Sequence, residues 1–568
     1  MHKVWKTVEY DTALAGQLAQ SLNVPHVVAG ILVQRGIKDP EAAELFLRPR
    51  LSQVTDPFSL PAMRAAVERI WRALEGKERI VVFGDYDADG ITSTALLVKV
   101  LRQMGGDVTP FLPHRVDDGY GLSADTLQKC LGMNKPSLVV TVDCGTSSGD
   151  AVRMAAAAGV DVVITDHHEP GEEIAPACAV VNPKLGSDPR VEMLAGVGVA
   201  FKLCHALVKH ARDAGHPAGK LDLRRYMDLV AVGTITDIVP LREENRILVR
   251  HGLEQLNKTE LIGLRALADV AGVRGTIDAY HVGFMLGPRL NAMGRLGDAE
   301  VSLKLLMTED ASEAGQLATQ LDKANRERQA VEARMHEEIA REVEGWFKPD
   351  QHFSLVLASD GWHPGVIGIV ASRIAARFNR PTVLIALDGA EGRGSARSID
   401  GFNLVENLQA CGGTLIRCGG HAMAAGLDIE TARVAEFREC FNDLARKALE
   451  GTLLAPVQRV DAWVSLADCT EELLENINAM QPFGFGNPRP VLAAPAVLVS
   501  DMRKVGSGKH LKLTLVLGAS DVDAIGFGMG GRELPDGPMD VAFQLQRNSY
   551  MGRDKLQLSL QDFRPAAG

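Results

Sequence analysis

A chain of 568 residues is too long for one compact core and predicts three or four domains. Its 46% hydrophobic and 23% charged residues exclude a disordered or fibrous protein, and a net charge of −11 excludes a surface coated in basic residues, though not a single groove lined by Arg and Lys. Eight scattered cysteines without a C-x-x-C pair, no uncharged apolar run near the roughly 18 residues of a membrane helix, and an N-terminus lacking a signal peptide's apolar core predict a soluble protein of a reducing, cytoplasmic compartment, without membrane attachment.

Residues 1–78 read as a helical region, with Ala/Leu periodicity and joints at Pro49, Pro57 and Pro61. From residue 79 to about 300, apolar runs at 80–83, 108–112, 138–142, 162–165 and 179–182 alternate with helical stretches such as 91–104 and 147–158. That alternation predicts a parallel α/β sheet with helices on both faces. A polar-rich segment, 301–348, reads as a connecting helix centred on 311–347. A second α/β region follows over 349–455, and the short β-like runs and glycine turns of 456–568 suit a small antiparallel barrel.

The stretch IVVFGDYDADGITSTAL sets Asp85, Asp87 and Asp89 directly behind an apolar run. It is not an EF-hand: position twelve counted from Asp85 is Leu96, which has no ligand oxygen. An acidic surface turn would be the plain reading of a lone D-x-D. Three further apolar runs end in acids, however: VVTVDCG at Asp143, VVITDHHEPG at Asp166, His167 and His168, and LVAVGTITDIVP at Asp237. Read as strand ends of a parallel sheet, they converge on one face and predict a metal site. Carboxylates with imidazole and no thiolate suit Mg²⁺ or Mn²⁺ rather than zinc. Several carboxylates can hold two ions about 3.5–4 Å apart, with Asp143 as the bridge, a clamp for displacement at phosphorus.

These motifs together resemble the DHH phosphoesterase superfamily, named for its Asp-His-His triplet. GPRLNAMGR (287–295), WHPGVIGIVASR (362–373), GSARS (394–398), GGHAMAAG (419–426) and PFGFGNPRP (482–490) extend the resemblance over nearly the whole chain, toward the branch of single-strand-specific 5′→3′ DNA exonucleases. The resemblance implies a DHH domain, a DHH-associated domain joined to it by a long helix, and a C-terminal OB-fold. It implies two Mn²⁺ or Mg²⁺ ions on Asp87, Asp89, Asp143, His167 and Asp237, with His168 beside the scissile phosphate and Asp166 orienting His167. Asp85 stays open between ligand, supporting group and turn former. One departure stands out: members often carry His four residues before the first ligating Asp, where this chain has Phe83.

For phosphate, GSARS reads as an anion nest with the Ser395 hydroxyl and the Arg397 fork, against the plain reading of a flexible turn. GPRLNAMGR supplies Arg289, Asn291 and Arg295 in one Gly/Pro-broken loop, and Arg115 follows a strand near the acidic loop. His421 in GGHAMAAG offers a donor, with tight small-residue packing as the alternative. On the barrel, Arg503, Lys504, Lys509, His510 and Lys512 alternate with apolar residues, as backbone-tracking groups on a single strand would. The expectation is therefore a single-stranded-DNA exonuclease in repair and recombination, working with a single-strand-binding protein and a helicase. Two rivals are a phosphodiesterase of short oligonucleotides or cyclic dinucleotides and a non-catalytic DHH scaffold; the extra domains and the complete ligand set speak against them.

Overall fold

A computed structural model describes residues 3–114, 121–452, 454–550 and 553–566. Arg115, singled out above, lies outside them. The described residues fall into two compact units, one built from 3–291, 299–318 and 457–568, the other from 292–298 and 319–456.

The larger unit holds a five-stranded, all-parallel sheet in the order Asp107–Phe111, Arg79–Phe83, Leu138–Val142, Asp161–Thr165, Ala179–Val181. Its central strands are buried on both faces, which is why they read as continuous apolar runs rather than alternating ones. Strand order reverses at Arg79–Phe83, whose neighbours are the second and third strands of the sheet. In open α/β sheets such a reversal leaves a crevice at the carboxyl ends of the strands. Asp85 and Asp143 follow the two strands that flank it.

The barrel of the same unit pairs Leu492–Val505 with His510–Leu517, continues through Ser520–Gly526, Arg553–Pro565 and Met539–Tyr550, and closes where the last strand meets Leu492–Val505 again. The expected barrel is thus present. The N-terminal region is helical over Thr12–Leu22, His26–Gln34, Pro40–Leu47 and Met63–Glu75, but it also supplies a strand, Val4–Thr7, parallel to Val457–Val460. Leu18, Ile31 and Leu32 share one apolar core with Leu474, Leu513, Phe543 and Leu558 of the barrel region. Local periodicity carries no trace of that pairing because its partners lie more than 400 residues apart.

A buried ion pair ties the helix Gly196–Asp213 to the helix Glu243–Leu256. Lys202 Nζ sits 2.5 Å from Glu244 Oε1 and donates to Thr55 O and Oγ1 at 2.8 and 2.7 Å. Both charged side chains are essentially inaccessible. Lys202→Met removes one partner and leaves Glu244 buried and uncompensated, so it should cost about 3–5 kcal/mol. Chemical denaturation of the variant beside wild type and the double variant with Glu244→Gln measures this, and the double variant should recover part of the loss.

In the smaller unit, the helix Ala311–Trp346 continues from its shared first turns, and a mixed sheet runs Arg417–Gly420, Ala424–Glu430, Glu391–Arg397, Thr382–Asp388, Leu355–Ser359. Only its last pair is parallel. Phe402, Phe437 and Phe441 fill the core beneath it.

Candidate metal centre and phosphate-reading groups

Each acid of the crevice is fixed by local backbone. Asp87 is the N-cap of the helix Ala88–Gln103, accepting from Asp89 N and Gly90 N, so the helix starts earlier than expected and its first turn is capped by the motif itself. Asn291 Oδ1 accepts from Ala88 N at 2.7 Å, pinning the loop from outside. Asp89 aims its carboxylate at another helix start, accepting from Gly196 N and Val197 N at 2.7 and 2.9 Å. Asp143 is held at φ 64°, a left-handed conformation that Asp tolerates better than most residues. A Cβ at Gly196 would lie 2.5 Å from Asp143 Oδ1, so only glycine lets that helix approach.

The apolar run before Asp237 is not a strand. It forms the buried helix Met227–Thr236, with Asp237 at its C-cap. A helix buried all round and rich in Val and Thr cannot be told from a buried strand by periodicity. Ile238 then adopts φ 62°, an outlier for a β-branched residue, immediately beside the site.

These elements bring Asp89, His167 and Asp237 together, and likewise Asp85, Asp87 and Asp143, and Asp143, His167 and His168, each trio offering ligand atoms within 4.8 Å of one another. His167 Nε2 lies 3.0 Å from Asp143 Oδ1, 3.6 Å from Asp237 Oδ2 and 4.0 Å from Asp89 Oδ2. Although the first distance would allow a hydrogen bond, the buried Asp143 Oδ1, Asp237 Oδ2 and His167 Nε2 make none. Buried polar atoms left unbonded while converging on one point are what a bound cation satisfies. The donor set, oxygen-rich with one imidazole, fits Mg²⁺ or Mn²⁺.

The electrostatics agree. Burial, then neighbouring carboxylates, pushes Asp89 and Asp143 well above the usual carboxylate range, and burial with Asp87 lifts Asp237 to about 7. Burial pushes His167 down to about 3, which keeps its ring neutral, the ligating form. His168 moves up to about 9: burial opposes this, but its hydrogen bond to Asp166 wins.

Asp166 differs from its expected role. Its Oδ1 accepts from the backbone N–H groups of His167 and His168 and stands 2.8 Å from His168 Nδ1, so it orients the ring of His168, not of His167. Phe83 is buried and stacks on Phe111 with ring centroids 5.3 Å apart. It belongs to the core of the sheet.

Two supporting residues escaped the sequence reading. Asn182 Nδ2 donates to Thr146 Oγ1 and to His168 O, both at 2.9 Å, while Thr146 N donates to Asp166 Oδ2. Both residues are fully buried. The signal available was the VVNPK run, an Asn after an apolar strand, which reads as a turn former. Asn182→Ala should lower kcat about tenfold with KM nearly unchanged, because the His168 loop loses its anchor; steady-state kinetics with the metal at saturation checks it.

The residues expected to bind phosphate are placed differently from expectation. GPRLNAMGR is a helix, Gly287–Leu296, because Pro288 stands in its first turn, where proline is tolerated. Arg289 donates to Met285 O there. Arg295 donates to Gly365 O at 3.1 Å in the smaller unit. GSARS is a strand, Glu391–Arg397, laddered on both sides, so its backbone is committed and no nest forms. Arg397 NH1 donates to Ser395 Oγ at 3.0 Å. A Cβ at Gly368 would lie 2.9 Å from both Ser395 Oγ and Arg397 NH2, which places these two groups at the start of the helix Ile367–Phe378. A hydroxyl, a guanidinium and a helix N-terminus together suit a phosphate. His421 sits exposed between the strands Arg417–Gly420 and Ala424–Glu430, and not in a packed small-residue helix. On the barrel, Arg503 pairs with Lys512 across one hairpin whose turn carries the exposed Lys509.

Residues 79–234 match the DHH family N-terminal domain, 352–447 the DHHA1 domain and 460–562 the RecJ OB domain. The chain is 38% identical to the single-stranded-DNA-specific exonuclease RecJ of Bacillus subtilis, over 98% of this chain and 70% of that protein. With the protein of the same name from Dickeya dadantii it shares 38% identity over 96% of both chains. A crystal structure of RecJ with Mn²⁺ from Thermus thermophilus superposes with a TM-score of 0.85 at 32% identity, covering 100% of this chain and 80% of that one. A second, with Mg²⁺, gives 0.79.

Proposed function

The chain belongs to the RecJ family of DHH-type, single-stranded-DNA-specific exonucleases, and on that premise we propose that it degrades single-stranded DNA from the 5′ end, hydrolysing phosphodiester bonds to release mononucleotides. The observation that carries this reading is the convergence of Asp143 Oδ1, Asp237 Oδ2 and His167 Nε2, buried and unbonded, at the strand-order reversal of the sheet.

Asp87, Asp89, Asp143, His167 and Asp237 would hold two Mn²⁺ or Mg²⁺ ions, with Asp85 alongside Asp87 and Asp143. Bound there, the ions supply an activated water at neutral pH and neutralise charge on the phosphoryl group. The chain's own residues do the rest. Asp166 engages His168 Nδ1 and Asn182 holds its backbone carbonyl, so the two fix the ring that would serve the substrate or leaving group. In the smaller unit Ser395 and Arg397 would bind a terminal or adjacent phosphate, with Arg295 and His421 as further phosphate contacts; in the larger unit Arg289 would be another. Arg503, Lys504, Lys509 and Lys512 track the single strand along the barrel. On this reading the protein works in the cytoplasm, with a helicase and a single-strand-binding protein to supply and present the strand.

Labelled at either end, single-stranded DNA should lose 5′ label first, duplex should resist, and chelator should stop the reaction while Mn²⁺ restores it. Prior loss of 3′ label, or cleavage persisting in chelator, overturns the reading. Replacing Arg503, Lys504 and Lys512 together by Ala should flatten the dependence of log affinity on log salt by about 2, from about 0.7 per lost phosphate contact. Strand binding titrated across salt concentrations measures that slope.

A further inference from the structure

Far along the chain from the metal ligands, two thiols meet in the core of the DHHA1 region. Cys411 ends the helix Leu404–Ala410, and Cys440 lies within Val434–Leu449. Their Sγ atoms are 2.7 Å apart, within about 1 Å of bonding distance. Cys411 is buried among Leu408, Phe437 and Phe441, whereas Cys440 is half-buried and reachable from solvent. Packing alone does not call for two sulfurs here, since small apolar side chains fill such space as well; for cysteine it is reactivity that distinguishes a position.

We propose that Cys411 and Cys440 form a reversible oxidation site, closed to an intramolecular disulfide by hydrogen peroxide and reopened by a dithiol. Cys440, the accessible sulfur, attacks the peroxide oxygen; the O–O bond breaks, water leaves, and a sulfenic acid remains. The Cys411 sulfur then attacks the sulfenic sulfur, the S–O bond breaks and a second water departs. The two electrons lost by the sulfurs reduce the peroxide, and both thiol protons end in water. The bond spans 29 residues, closing a loop that contains both strands of the hairpin carrying His421. Closing such a loop restricts the unfolded chain, so oxidation strengthens this region without touching the metal ligands. The inference does not depend on the exonuclease reading.

The test uses the reduced full-length chain, treated with hydrogen peroxide and digested without reductant for mass spectrometry. The expected product is a Cys411–Cys440 peptide pair lighter by two hydrogens, reversed by dithiothreitol, with the unfolding temperature raised by about 2 °C or more. In Cys411→Ser the reaction should stop at a Cys440 sulfenic acid that dimedone traps; in Cys440→Ser, Cys411 should stay reduced. The exposed Cys178 serves as the internal reference for peroxide reactivity. Pairing of Cys440 with Cys418 instead, over-oxidation without a cross-link, or modification of Cys178 while Cys411 and Cys440 stay reduced would overturn the proposal.

Discussion

Asp143→Asn is expected to lower exonuclease turnover at least about a thousandfold at saturating Mn²⁺, equivalent to about 4 kcal/mol of lost barrier reduction. Asp143 belongs to two of the three ligand groupings, so its oxygens serve both sides of the site. Asn keeps the size of the side chain and tolerates the left-handed backbone at φ 64°, so the variant tests charge and ligation rather than folding. A second readout separates the two. Burial most of all, and then Asp89, Asp87, Asp237 and Asp85, raise the Asp143 carboxyl, so in metal-free protein these charges oppose one another. Removing one should leave the unfolding temperature of chelated protein unchanged or higher, while Mn²⁺ should stabilise the variant less than wild type. A chelated variant that unfolds well below wild type would mean that Asp143 is structural; turnover within tenfold of wild type would remove it from the metal centre.

What the sequence disclosed of this site follows from how parallel sheets are built. Strands buried on both faces appear as short apolar runs, and the acids behind them stand out, so Asp85 to Asp89, Asp143 and Asp166 to His168 were legible. Asp237 was found for the wrong local reason: its helix is as apolar as a strand, and only tertiary packing decides between the two. GSARS and GPRLNAMGR mislead in opposite directions. Glycine and serine suggested an anion nest where ladder partners on both sides impose a strand, and Gly-Pro suggested a loop where proline opens a helix. Asn182 and Thr146 were invisible because their roles consist of hydrogen bonds to groups brought close only by the fold. The shared core of N-terminal helices and barrel was hidden for the same reason, and it bears on experiment: cutting the chain near residue 457 would strip Leu18, Ile31 and Leu32 of their partners. Surface charge changes on the barrel are the cleaner probe.

Arg397→Lys should impair degradation of 5′-phosphorylated single-stranded DNA more than that of the 5′-hydroxyl strand, lowering kcat/KM on the former by about tenfold or more. Arg397 ends a strand whose neighbours hold it in register, and its guanidinium bonds Ser395 Oγ and Ala396 O, so the fork is preoriented. Lysine keeps the positive charge but has neither the planar pair of donors nor the means to hold Ser395 in place. If charge alone were needed, the substitution would be nearly silent. If the fork reads the terminal phosphate, the preference between the two strand ends should shrink. A small phosphodiester, with no 5′-terminal phosphate and no polymer backbone, should be hydrolysed at a rate close to that of wild type. The three substrates compared at one Mn²⁺ and salt concentration decide the matter: equal losses on all three would make Arg397 a general support of its strand, and an unchanged preference for the 5′-phosphate would move end recognition to another residue.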